Sequence, residues 1–81
     1  PRGNLILRVH DGLISITHTD PAGKRLDEFN GVDPFLLYQT LVLEHRVCDL
    51  SHAFYLGTEL QKAALALQKK IPYIQDKEIE L

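Results

Sequence analysis

The first third of the chain alternates between apolar and polar residues. In segments 5–10 and 13–18 every second residue is apolar, and Asp11-Gly12 separates the two segments. Alternation with a period of two is typical of a strand that buries one face. Asp11 and Gly12 both tolerate the positive φ of a two-residue turn, so the pattern predicts an antiparallel β-hairpin. We expect the histidine at the end of each strand to be exposed.

A second turn and a third strand follow the hairpin. The sequence Asp-Pro-Ala-Gly at positions 20–23 predicts a turn, because proline presets an early turn residue and glycine accepts the left-handed conformation. Residues 25–29 alternate weakly and are highly charged. Charged side chains protect exposed strand edges, so this segment predicts a strand at an edge of the sheet.

Residues 33–43 predict a helix whose apolar side chains are distributed around its whole circumference. Asp33 suits the N-cap, and Pro34 suits the first helical position. The apolar side chains are Phe35, Leu36, Leu37, Tyr38, Leu41, Val42 and Leu43. A helix that is apolar all round is covered on more than one side. A three-stranded sheet covers one side, so we expect the second helix or another copy of the chain to cover the other.

Residues 51–67 predict a second helix. The link 48–50 is short, which predicts that the two helices are antiparallel neighbours. We expect Ser51 to cap this helix. Gly57 interrupts its apolar stripe, and glycine inside a helix costs about 1 kcal/mol relative to alanine. Gly57 therefore predicts a close contact with another backbone.

The end of the chain completes the predicted fold. Pro72 forces the chain to extend, so residues 73–75 predict a strand that returns to the sheet. The charged tail 76–81 is expected to fray. The order β-β-β-α-α-β predicts a single α+β domain over residues 1–81, with an antiparallel sheet of three to four strands packed on an antiparallel helix pair. Such a domain stands alone or forms a fragment or C-terminal module of a longer protein.

Composition restricts the partners of the domain. The net charge of −2 gives no basic surface for nucleic acid, and no apolar run approaches the roughly 18 residues that span a membrane. The single cysteine, Cys48, rules out an internal disulfide and favours a cytoplasmic location. A chain of 81 residues buries only about 60% of its unfolded surface. We therefore expect a homodimer or a partner domain to provide further burial.

The second helix also carries the best candidate site. His52, Tyr55 and Glu59 are spaced three and four residues apart, so they share one helix face. The returning strand is expected to bring Gln75 and Asp76 beside them. These five side chains are the candidate ligand-binding residues. The alternative is a polar rim that anchors the helix to the sheet, with Tyr55 packed in the core.

A metal site near the link between the helices is a weaker hypothesis. Glu44, His45, Cys48 and His52 are all residue types that bind zinc. Their spacing matches no familiar motif, and a Cys-x-x-Cys pair is absent from the sequence. We therefore predict no metal and no cofactor, and we expect Cys48 to pack as a small hydrophobic residue.

A run of residues in the second half of the chain resembles the signature of a domain family. The run comprises His52-Ala53, Tyr55-Leu56-Gly57, Glu59-Leu60, Lys62-Ala63, Leu65-Ala66-Leu67, Tyr73 and Gln75-Asp76. It resembles an uncharacterised family of bacteria and archaea, found alone or at the C-terminus of archaeal proteins related to dihydropteroate synthase. Other relatives are linked to tetrahydromethanopterin methyltransferase. The resemblance implies a link to pterin or one-carbon proteins, without an established activity.

Two functions are consistent with these features. The first is an interaction or oligomerisation module that packs against itself or against a partner domain. The alternative is a small-ligand-binding or catalytic domain that uses the His/Tyr/Glu cluster of the second helix. A cleft with buried, perturbed groups would favour the ligand-binding function. A helix face that continues onto another chain would favour the interaction module.

Overall fold

The protein folds into one sheet covered on one side by two helices. The computed structural model describes residues 3–47, 49–75 and 78–81. The strands are β1 (Asn4–His10), β2 (Leu13–Thr19), β3 (Arg25–Gly31), β4 (Tyr73–Ile74) and β5 (Ile79–Glu80), and the helices are α1 (Pro34–Leu43) and α2 (Leu50–Lys69). The predicted α+β class and the order β-β-β-α-α-β are confirmed, with a short fifth strand in addition.

The sheet is antiparallel and has β1 in its middle. Its strand order is β3-β2-β1-β4, and β5 also pairs with β1. Strand β1 pairs with β2 over its whole length, from Asn4 opposite Thr19 to His10 opposite Leu13. Asp11 and Gly12 form the turn with φ values of 53° and 74°, as the hairpin pattern predicts. Strand β3 lies at an edge of the sheet, so the predicted edge strand is also confirmed.

The core lies between one face of the sheet and the two helices. Alternate residues of β1 and β2 point into it, as expected from their period of two. The buried apolar residues are Leu5, Leu7, Val9, Ile14, Ile16, Leu37, Leu41, Val47, Leu56, Leu60, Ala63, Ala66 and Ile79. Both helices therefore contribute to a single core.

Helix α1 is exposed on most of its surface. Leu37 and Leu41, four residues apart, form the stripe that it buries. Phe35 is 78% exposed and Leu43 is 77% exposed. Helix α2 packs beside α1 but leaves these side chains exposed, so it covers the second side of α1 only in part. Cover by another copy of the chain stays a prediction.

Each helix is capped at its N-terminus by an aspartate. Asp33 Oδ1 accepts a hydrogen bond of 2.9 Å from the Phe35 N–H, which confirms the predicted cap of α1. Helix α2 is capped by Asp49, because the helix already begins at residue 50. The Asp49 carboxylate accepts hydrogen bonds of 2.9 Å from both the N–H and the hydroxyl of Ser51. The predicted Ser51 cap is therefore wrong, since Ser51 lies inside the first turn.

Gly57 does not lie at a close contact within the chain. Apart from its own helix and its chain neighbours, no described atom lies within 4 Å of the position that a Cβ would take. Its side of α2 is exposed. The predicted close backbone contact is therefore wrong, and a side chain at this position would point into open space.

The described part of the C-terminal tail packs on the sheet. Ile79 is 3% exposed and lies opposite Leu5 of β1. The Leu81 N–H donates a hydrogen bond of 2.8 Å to the Gly3 carbonyl. The expectation that this tail frays is therefore wrong for residues 78–81, because Ile79 reaches the core, Leu81 packs against the core and the backbone extends the sheet.

Candidate functional site

Two of the five predicted site residues, His52 and Tyr55, line one shallow pocket. It lies between the first turns of α2 and the C-terminal residues, and its volume is about 220 Å³. The other lining residues are Ser51, Glu78, Ile79 and Glu80. Tyr55 is 40% exposed, so the expectation that it packs in the core is wrong. Its phenol and the half-buried imidazole of His52 are both accessible to a ligand.

The mouth of this pocket is acidic. Glu78 and Glu80 belong to its lining, and Asp49 lies at the start of the same helix. The Ser51 backbone N–H and hydroxyl, which donate to Asp49, hold the pKa of that carboxyl below its usual range. The electrostatic effect of the nearby His52 side chain also lowers the pKa of Asp49. The pocket therefore combines hydrogen-bonding groups with negative charge.

Glu59 is turned away from solvent and connects α2 to β4. It is 5% exposed, and its carboxylate accepts a hydrogen bond from the Tyr73 hydroxyl. Lys62 Nζ, one turn further along α2, lies 3.4 Å from the other carboxylate oxygen. A buried carboxylate needs such partners, because an unpaired charge in the interior is costly. Glu59 thus makes the contact expected of a polar anchor.

Gln75 connects the chain after β4 to the central strand. Its side chain donates a hydrogen bond of 2.8 Å from Nε2 to the Leu5 carbonyl. Its backbone N–H donates to the Leu7 carbonyl at 3.2 Å. Within the described chain, the buried Oε1 of Gln75 has no hydrogen-bond partner. Asp76, the fifth predicted site residue, lies outside the described residues.

The structure thus divides the predicted cluster. His52 and Tyr55 share a pocket, whereas Glu59 and Gln75 make hydrogen bonds to the sheet side of the molecule. The spacing of three and four residues correctly placed side chains on neighbouring positions of α2. It did not indicate which of them would find partners in the strands. A joint ligand site of all five residues stays a prediction.

A polar network that the sequence patterns did not indicate joins the end of α1 to the sheet. Arg46 Nη2 donates to the Asp27 carboxylate, and Arg46 Nη1 lies 2.9 Å from His18 Nδ1. His18 and Asp27 are cross-strand partners, and the guanidinium lies 5.9 Å from the centre of the Phe29 ring. This network fastens the chain after α1 onto β2 and β3.

The burial of His18 corrects the expectation of exposed strand-end histidines. His18 is 5% exposed, while His10 is exposed at the other end of the hairpin. A signal was present in the sequence, because His18 continues the period-two positions of Ile14 and Ile16. That register places it on the core face of β2.

A recess of about 610 Å³ lies between α1 and α2. We call it the helix groove. It is lined by Pro34, Phe35, Tyr38, Gly57, Leu60, Gln61 and Ala64. None of these side chains is charged, and among them only Gln61 carries an amide group. A neighbouring recess shares Tyr38 and continues along α1 to Val42 and Leu43. The apolar surface therefore extends beyond the groove itself.

The described residues form no group of three histidine, cysteine, aspartate or glutamate side chains that would hold a metal ion. Glu44, His45 and His52 belong to this part of the chain, and Cys48 lies outside it. As for membranes, neither α1 nor α2 combines the length and the apolar character needed to cross one.

Comparison with known proteins agrees with the resemblance seen along α2. The model of the family PterinBD-DUF4346 matches residues 1–76. No curated protein and no solved structure shows significant similarity to the chain. The family match spans β1 to β4 and both helices, and it includes four of the predicted site residues together with Asp76. The chain therefore belongs to the PterinBD-DUF4346 family.

Proposed function

We propose that this domain is an interaction module that binds a protein partner through the helix groove. The observation that carries the proposal is the uncharged, exposed recess between α1 and α2. Large contiguous apolar patches are uncommon on monomeric proteins and usually mark a contact surface. A second copy of the chain or a partner domain supplies the apolar surface that fills the groove.

The pattern of residues on α1 supports this function. Phe35, Tyr38 and Val42 are spaced by three and four residues, so they form one stripe on a side of α1 different from that of Leu37 and Leu41. Phe35 is 78% exposed and Val42 is 41% exposed. The helix therefore has one stripe for the core of the domain and a second one for a partner.

The α2 side of the groove supports the same conclusion. Gly57 and Ala64, seven residues apart, leave this wall with little side chain. The glycine costs about 1 kcal/mol of helix stability relative to alanine, and no described atom outside α2 lies within 4 Å of the position that a Cβ would take. Its small size has no use in packing the domain itself. It does leave room for a side chain from outside.

The family membership supports a link between this domain and pterin-related proteins. The family name joins a pterin-binding domain to a domain of unknown function. We therefore propose partners among pterin-related or one-carbon proteins, in addition to self-association. The single cysteine is consistent with a reducing, cytoplasmic setting.

The test is an NMR titration of the isotopically labelled chain, with a pterin-binding domain of the same family and separately with unlabelled chain. We expect shifts at Tyr38, Gly57 and Gln61 on binding. The variant Gly57→Leu should fill the groove and abolish these shifts, while Ile74→Ala, an exposed apolar truncation on β4, should leave them unchanged. Absence of shifts in the groove with both partners would refute the proposal.

A small-ligand function is the second candidate, and the pocket beside His52 and Tyr55 favours it. Titration with a pterin tests it, with Tyr55→Phe as the matched variant that removes only the hydroxyl. If all five predicted residues act together, Glu59→Gln should abolish binding and leave the fold intact. Unchanged spectra in the presence of the pterin would argue against a pterin site in this pocket.

A further inference from the structure

We infer that the protein filling the helix groove is a second copy of this chain, in a two-fold dimer in which Phe35 of each copy enters the groove of the other. This inference rests on the proposed function, since it names the partner of the same surface.

The side chain that projects at the rim of the groove fits the recess of an identical copy. Phe35 stands at the rim and is 78% exposed, while the wall at Gly57 is open to any side chain of another molecule. A two-fold interface uses the same patch on both copies, so a projecting side chain and a matching recess must lie on one face. The helix groove meets this condition with residues from one chain.

Exposed aromatic side chains provide a substantial part of the area that a stable dimer requires. A standard interface buries about 800 Å² on each partner, about one-seventh of the 5312 Å² surface of this chain. Phe35 and Phe54 are 78% and 69% exposed, and they offer roughly 300 Å² together, given about 150–250 Å² for a buried aromatic side chain. Phe54 lies three residues before Gly57, on the same side of α2. Val42, Leu50 and Leu65 are also exposed and add to the apolar surface of the two helices.

Charge does not oppose contact at this surface. Each copy carries a net charge of −2, so two copies repel one another weakly. The residues that line the groove carry no charge. Two identical copies can therefore meet here without placing like charges opposite each other, which would oppose association.

Sedimentation velocity of the whole chain with two complementary variants tests the inference. The wild-type chain should sediment as a dimer at micromolar concentration. Phe35→Ala removes the projecting side chain and Gly57→Leu fills the recess, so each alone should weaken dimerisation at least tenfold. An equal mixture should form heterodimers, because the intact Phe35 of the Gly57→Leu chain can enter the open groove of the Phe35→Ala chain. Ile74→Ala should dimerise like the wild type.

Both variants are suited to this test because they leave the isolated chain folded. Phe35 is largely exposed, and no described atom outside α2 lies near the Cβ position of Gly57. Circular dichroism and thermal melts of each variant check this directly. A monomeric wild type would overturn the inference, as would variants that dimerise normally or a mixture that fails to associate. A monomer that still binds a pterin-binding domain through the groove would refute the second copy alone and leave the proposed function standing.

Discussion

The two helices show opposite relations between apolar content and burial. Helix α1 is apolar around its whole circumference, yet it buries one short stripe of two leucines. Helix α2 carries more polar side chains, and although Leu50, Phe54 and Leu65 are exposed, it buries four apolar side chains and a glutamate. The amount of apolar surface on a helix therefore does not determine how much of it is buried. The position of the helix on the sheet does, and the apolar surplus of α1 remains exposed.

The largest expected effect is the difference in stability loss between two leucine truncations, one on each helix. Leu56 on α2 is fully buried, so Leu56→Ala should lower the free energy of unfolding by about 2–5 kcal/mol through lost contacts and a new cavity. Leu43 on α1 is 77% exposed, so Leu43→Ala should change it by no more than about 0.5 kcal/mol. Urea denaturation below the concentration of self-association measures both. Equal losses would mean that α1 is packed as tightly as α2.

The next effect concerns the polar contact that holds α2 to β4. Glu59→Gln should lower stability by about 1.5–3 kcal/mol, the usual contribution of a hydrogen bond to a charged group. Tyr73→Phe removes the other partner of the same bond and retains the ring. A double-mutant cycle should show a coupling of about 0.5–3 kcal/mol between the two changes. Additive effects would indicate that Glu59 and Tyr73 act independently.

The sequence predicted most of the fold, because its strongest patterns are local. Alternation located the hairpin, and Asp33 with Pro34 located the start of α1. The cap of α2 was misplaced, since Asp49 and Ser51 are both good capping residues two positions apart. The strand β5 is not predicted, because the charged tail 76–81 has two apolar residues, Ile79 and Leu81, and two positions are too few to define a period.

The site was less predictable, because its contacts join residues far apart in the chain. Spacing showed that Glu59 shares a side of α2 with His52 and Tyr55. It did not show that a tyrosine 14 residues further on would hydrogen-bond to Glu59. The Arg46 network joins residues 19 and 28 positions apart in the same way. For the helix groove, the sequence predicts only that α1 has more apolar side chains than one sheet can cover.

A smaller effect is expected at the surface where the two helices face the groove. Gly57→Ala should raise the free energy of unfolding of the monomer by about 1 kcal/mol, because alanine favours the helix and its methyl group meets open space. Thermal melts at low protein concentration measure this. A lower melting temperature would show a close contact at Gly57 after all.

The smallest effect is the acid sensitivity of the α2 cap. The pKa of Asp49 is lowered in the folded chain, first by the Ser51 backbone N–H and then by the Ser51 hydroxyl. A lowered folded-state pKa gives stability that is present above the unfolded-state pKa and lost as the pH falls through the folded-state value. The loss of stability therefore begins below about pH 4.

The variant Asp49→Asn retains a good cap without a titrating group. It should match the wild type at pH 7 and lose less stability between neutral and acid pH. Urea denaturation at both pH values measures this difference. The variant should keep some acid sensitivity, because the pKa of Glu28 is also lowered, chiefly by the hydrogen bond from the Asn30 side chain. Parallel curves for the two chains would mean that the charge on Asp49 contributes nothing to holding α2.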